Sequence, residues 1–142
     1  MPTMPFPRDP AEAARIEAIA RSGRDSPVLM LNLNRYTSEA AFPHGEIYQA
    51  YMRVLEGFLP AVGARVLWRT PVHGHPVGDQ VIHEVLGAWY PSHQAFLDLP
   101  SAPGAEENYR LRGIAVEYAC IHRCSGEVSP FAPDGWLSSS GG

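Results

Sequence analysis

The sequence predicts one α+β domain whose elements run β-α-β-β-α-β, with an additional helix in front. Three observations carry this reading. Residues 27–36 (PVLMLNLNRY) alternate with a period of two, placing Leu29, Leu31 and Leu33 on one face and Met30, Asn32 and Asn34 on the other. Residues 46–62 repeat Tyr48, Tyr51, Met52, Leu55, Phe58, Leu59 and Val62 at helical spacing, a broad apolar stripe. Two strand-like runs, residues 64–70 (ARVLWRT) and 80–90 (QVIHEVLGAWY), flank a stretch rich in Pro, Gly and His, the pattern of an antiparallel hairpin.

The remaining elements follow from local signals. Asp9 and Pro10 ahead of Ala11 and Glu12 mark a helix start, a capping carboxylate followed by proline at the first position. That helix is expected to reach about Arg21 and stop at Gly23, with Ile16, Ile19 and Ala20 as a narrow docking stripe. Residues 37–45 read as a loop. Gly63 ends the main helix, and Pro60 is expected to distort its last turn. Pro91 and Ser92 open a second helical region with Phe96, Leu97 and Leu99 as its apolar residues. Residues 100–104 break it, helix resumes over 105–116, and 117–124 form the closing strand. The chain thus divides into an extension with a helix (1–26), the main domain (27–124) and a tail rich in Gly, Ser and Pro (125–142).

Bulk properties narrow the function classes. A chain of 142 residues, 45% hydrophobic and 18% charged, is globular and large enough for one core. The net charge of −4 and the absence of any basic run argue against a phosphate backbone as partner, so no nucleic acid is expected. No apolar stretch approaches the ~20 residues of a membrane span, and the proline-rich start lacks the apolar segment of a secretory signal. Cys120 and Cys124, four apart on one strand, would have Cα atoms ~13 Å from each other, too far for a disulfide. A reduced, cytoplasmic protein is the expectation.

The order of elements is that of the ferredoxin-like split β-α-β arrangement, an antiparallel sheet with both helices on one side. Its other face needs a cover. With Met30 and either Trp68 or Leu67 expected there, a second copy of the sheet is the natural one, so the chain is expected to be a homodimer. Met30-Leu31-Asn32-Leu33, Tyr48-Gln49-Ala50-Tyr51, Gly63-Ala64-Arg65-Val66-Leu67, Tyr90-Pro91-Ser92 with Ala95-Phe96-Leu97, and Arg112 occur in an order and spacing that resemble one group. That group is a family of unknown function within the dimeric α/β-barrel (ferredoxin-like) superfamily. The resemblance covers residues 27–124 and implies the fold and a dimer, but no particular reaction. The chain departs from the group at Ser101-Ala102-Pro103, which is followed by Gly104-Ala105 rather than an aromatic residue, and in a longer hairpin.

Candidate site residues come from polar groups in apolar surroundings. Asn32 in the first strand marks either a pocket amide or a strand turning polar towards solvent. Arg65, expected to share a strand face with Leu67 and Arg69, is either a fork for a carboxylate or enolate or an exposed edge charge. His83 and Glu84 point to opposite faces, and His83 is the better proton carrier for a cavity. Asn32, Arg65 and His83 are therefore the catalytic candidates, with Tyr48, Trp68, Trp89 and Arg112 as substrate-binding ones. His73, His75 and His83 have metal-like spacing, but two lie in a loop without a carboxylate, so no metal is expected. No phosphate loop, nucleophile elbow or Cys-x-x-Cys is present, and no cofactor is expected.

Two functions fit. One is a cofactor-independent enzyme of oxygenase, isomerase or dehydratase type, acting on a small, mostly apolar organic molecule between sheet and helices; related folds of the superfamily do such reactions, so the resemblance permits it. The other is a non-catalytic dimeric module, ligand-binding or stress-associated. Convergence of the candidates on one enclosed volume favours the enzyme, and scatter favours the module.

Overall fold

The computed structural model describes residues 8–127. Helix α1 (Pro10–Arg21) leads into strand β1 (Val28–Tyr36), helix α2 (Glu46–Phe58), strands β2 (Arg65–Pro71) and β3 (Glu84–Tyr90), helices α3 (His93–Asp98) and α4 (Ala105–Ala115), and strand β4 (Val116–Ser125). The four strands form one antiparallel sheet in the order β2-β3-β1-β4. This is the ferredoxin-like arrangement that the element order predicts.

The helix boundaries follow the local chemistry. Asp9 caps α1, its carboxylate accepting from the backbone of Ala11 and Glu12. The main helix ends at Phe58 rather than Val62: Pro60 cannot donate a backbone hydrogen bond, and residues 59–62 tighten into a 3-10 turn. Gly63 then turns at φ 78°, the left-handed conformation that favours glycine after a helix. Strand β3 starts at Glu84, later than the expected residue 80. His75 in the hairpin explains part of this, because its Nε2 accepts from the backbone of Ile82 and holds that segment outside the ladder.

Met30 does not lie on the open face expected for it. Met30, Asn32, Asn34 and Tyr36 point to the helices and are buried, Met30 at 2% exposure. The leucine face looks away from them. It carries Leu29, Leu31 and Leu33 with Val85 and Trp89 of β3, and Trp68 of β2 lies over Gly87. A Cβ at Gly87 would sit 2.9 Å from the Trp68 indole, so glycine makes room for the ring. Trp68 thus lies on the open face as expected, while Met30 does not.

A second correction concerns β2. A bulge between Val66 and Trp68 shifts the register at Leu67, so Arg65 and Arg69 fall on opposite faces. Arg65 stacks over the Trp89 ring at 5.5 Å on the open side, whereas Arg69 reaches the helix side. Helix α1 packs against α3 and buries Ile16. The expected tail begins at the end of β4, where the backbone oxygen of Gly126 accepts from Trp89 Nε1; residues 128–142 lie outside the described residues. Cys120 and Cys124 are free, and among the described residues no helix is long and apolar enough to cross a membrane.

Candidate functional site

The helix-facing side of the sheet carries two polar constellations, one at each end of β1. The first is sealed. Glu84, 3% exposed, accepts from Tyr36 Oη at 2.5 Å on one oxygen and from Tyr48 Oη at 2.6 Å on the other. Arg69 Nη1 donates to Tyr48 Oη at 2.8 Å and lies 3.9 Å from the carboxylate, with Glu56 at 3.4 Å from its Nε. Asn34 Nδ2 donates to Tyr36 Oη at 3.3 Å, while Asn34 Oδ1 has no partner among the described residues. Burial, and then the adjacent Glu84 charge, push both tyrosine hydroxyls well above the usual phenol range, so they stay protonated and donating.

His83 belongs to the wall of this cluster. Its Nδ1 accepts from the backbone of Tyr36 at 3.0 Å, which places its ring proton on Nε2. Its ring lies parallel to Phe42, and Phe42 in turn meets Tyr48 edge-on. His83 backbone groups extend the ladder past the strand end, bonding Asn34 O and Val72 N. These polar contacts serve the junction between β1, β2 and β3.

The second constellation is open. A cleft of about 580 Å³ lies between α1, α3, α4 and the β1–β4 edge of the sheet. Ile16, Met30, Phe96, Leu97 and Ile121 give it apolar walls. Arg112, 6% exposed, forms part of the inner wall and donates to Tyr51 Oη at 2.9 Å. Arg8 and Arg123 add two further guanidinium groups, opposed by Asp9 and Glu12 of α1. Arg123 is held from two sides. Its Nε donates to the Glu12 carboxylate, and its Nη1 lies 3.5 Å from His93 Nε2.

Behind Arg123 stands a short relay. His93 Nδ1 is 3.0 Å from Asp25 Oδ1 and 3.1 Å from the carbonyl of Ser26, an arrangement that leaves Nε2 free to accept from the arginine. Asp25 also receives the backbone N–H groups of His93 and Gln94, capping α3. Burial raises the cost of its charge, but these donors outweigh it and hold the Asp25 carboxyl below the usual range.

The seven sequence-derived candidates do not meet. Asn32 of β1, Tyr48 of α2 and Arg112 of α4 are buried between sheet and helices, Arg65, Trp68 and Trp89 lie on the opposite face of the sheet, and His83 closes the end of β1. Asn32 Nδ2 donates to the carbonyl of Met30, two residues back along its own strand. Sequence reasoning passed over Glu84, although Leu86, Ala88 and Tyr90 share its parity and would have placed it inside. It also missed Glu12, Asp25, His93 and Arg123, which α1 and the chain ahead of β1 bring together from four separate segments. Among the described residues no three His, Cys, Asp or Glu side chains stand close enough to hold a metal ion.

Comparison with known proteins agrees with this architecture. No protein-family model matches the chain, and no curated protein matches it either. Among solved structures it is similar to the RPA0582 protein of unknown function from Rhodopseudomonas palustris, with 28% identity over 92% of this chain and 100% of that one at a TM-score of 0.67. The methylated RPA0582 protein aligns at 27% identity over 92% and 99% of the two chains, TM-score 0.69. A dabb family protein with a ferredoxin-like fold from Mesorhizobium loti shares 11% identity over 75% and 99%, TM-score 0.52, a likeness of fold.

Proposed function

We propose that this chain, which belongs to a family of unknown function within the ferredoxin-like superfamily, holds a small, mostly apolar organic molecule in the cleft beneath α1, as one half of a homodimer. The observation that carries this reading is the cleft itself. Its volume lies within the range of small-molecule sites, and its apolar walls carry a few placed polar groups. Binding is favoured over catalysis because Asn32, Arg65 and His83 do not share one enclosed volume.

The test is a thermal-shift titration with alkylbenzenes and alkylbenzoates, repeated on Ala119→Phe, which fills the cleft from β4. A shift in the wild-type protein that disappears in the variant supports the reading. Equal shifts in both would place the ligand elsewhere and end it.

The homodimer rests on the open face, where Leu31, Leu33, Trp68, Val85 and Trp89 remain only partly buried in one chain. Sedimentation equilibrium at micromolar concentration should give twice the chain mass, and Leu31→Arg should shift it to the monomer. A monomeric wild type would refute the pairing. The free Cys120 and Cys124 thiols support a reducing, cytoplasmic setting.

A further inference from the structure

We infer that the ligand is a carboxylic acid, and that Glu12 of α1 occupies the place of its carboxylate on Arg123 until the ligand arrives. This deepens the cleft-binding reading and rests on it. Three features of the cleft point the same way.

First, Glu12 and Arg123 both line the cleft, and they are joined by a hydrogen bond from Arg123 Nε to Glu12 Oε1. The cleft therefore already contains a carboxylate bound to a guanidinium, in contact with the apolar space a ligand would fill. Carboxylate matches guanidinium geometry better than a neutral group does, because both partners are charged and planar.

Second, Arg123 has a neighbour besides Glu12. His93 Nε2 faces its Nη1 at 3.5 Å, and Asp25 with the Ser26 carbonyl fixes the imidazole from behind. His93 is 4% exposed, so this support is set by the core rather than by the mobile end of a side chain. His93 and Asp25 are positioning residues for Arg123.

Third, Glu12 has somewhere to go. Its other oxygen, Oε2, already receives Arg15 Nη1 at 2.8 Å from the next turn of α1. When an incoming carboxylate takes Arg123, Glu12 retains Arg15 on the solvent side, so neither charge is left bare. One carboxylate replaces another on the same guanidinium, and the cleft's charge balance alters only by the ligand's own negative charge. Arg112 already donates to Tyr51 and Asp9 caps α1, so Arg123 is the guanidinium through which the ligand's carboxylate is recognised. The apolar walls then select an acid with a hydrocarbon body.

The exchange makes Glu12 a competitor specific for acids, which separates it from a residue that merely shapes the cleft. Isothermal titration with a graded series of alkanoates and alkylbenzoates, each beside its primary amide, reads this directly. Wild type should prefer acid over amide. Glu12→Gln should bind the acids about threefold to fivefold more tightly, the scale of an exposed ion pair, with amide affinities unchanged. Arg123→Gln should erase the acid preference while amides still bind. An acid-to-amide ratio that is the same in wild type and Glu12→Gln, or one that survives Arg123→Gln, would overturn the inference and leave the cleft reading standing. If neither acids nor amides bind the wild type or either variant, the cleft reading fails and the inference with it.

Discussion

The two ends of the helix-facing sheet surface put charge to opposite uses. At the Glu84 end, a buried carboxylate is surrounded by two tyrosine hydroxyls and a partly exposed arginine. At the Arg123 end, charged groups stand beside an apolar space, and one partner of Arg123, Glu12, comes from the exposed side of α1. A buried charge whose contacts are all supplied by the core fixes the packing of the strands around it. A charge whose contacts come from a surface side chain can exchange them for a ligand's. The first end is therefore assigned to stability, and the second is the proposed site of recognition.

That division gives expected outcomes of decreasing size. Glu84→Ala removes the acceptor of two buried hydroxyls and should cost about 3 kcal/mol or more in urea unfolding. A loss under about 1 kcal/mol would mean that the cluster does not hold β1 to β3. Glu84→Ala should leave acid binding in the cleft intact wherever the variant remains folded.

Alkaline pH should act on the same end. Tyr36 and Tyr48 have folded pKa values raised above that of a free phenol, so their contribution is complete below about pH 10 and is lost as pH rises above it. Unfolding free energy should fall above about pH 10, and Tyr36→Phe, though less stable at neutral pH, should fall less steeply. Parallel curves for the two proteins would contradict the role of Tyr36.

Asp25 links the two ends of the scale, because it both caps α3 and supports His93 behind the cleft. Its folded pKa is depressed, so its contribution is present above the unfolded carboxyl pKa of about 4 and is lost as pH falls through the folded value. Asp25→Asn should lower stability by about 1 kcal/mol at pH 7 and by less near pH 3. A difference that does not shrink in acid would remove the ionised carboxylate from the account. The smallest effect is expected from Arg65→Ala, whose stacking on Trp89 is half exposed: about 0.5 kcal/mol, with no change in cleft binding.

The element order, the helix starts and the stop at Gly63 were legible because each rests on local chemistry: a capping Asp9, a proline at a first position, a glycine in the left-handed conformation. Which face of β1 looks inward was not. The alternation of Leu29, Leu31 and Leu33 with Met30, Asn32 and Asn34 is plain, yet the more polar set is the buried one. Burial of Asn34 depends on Tyr36, and the cluster depends on Glu84, supplied 48 residues further along the chain. The same limit hid the bulge at Leu67, which separates Arg65 from Arg69 and has no local residue signal such as glycine. The cleft depends on α1 docking against α3, and an ion pair such as Glu12 with Arg123, 111 residues apart, leaves no periodic trace.

The most direct measurement is a methyl and indole NMR titration of the protein with an alkylbenzoate. Ile16, Met30 and Ile121 line the cleft, whereas the Trp68 and Trp89 rings lie on the opposite face of the sheet. The account predicts saturable shifts at the Ile16, Met30 and Ile121 methyl groups, with the Trp68 and Trp89 indole signals unmoved. Shifts at the two indoles with the cleft methyl groups unmoved would contradict it and place the ligand between the sheet faces.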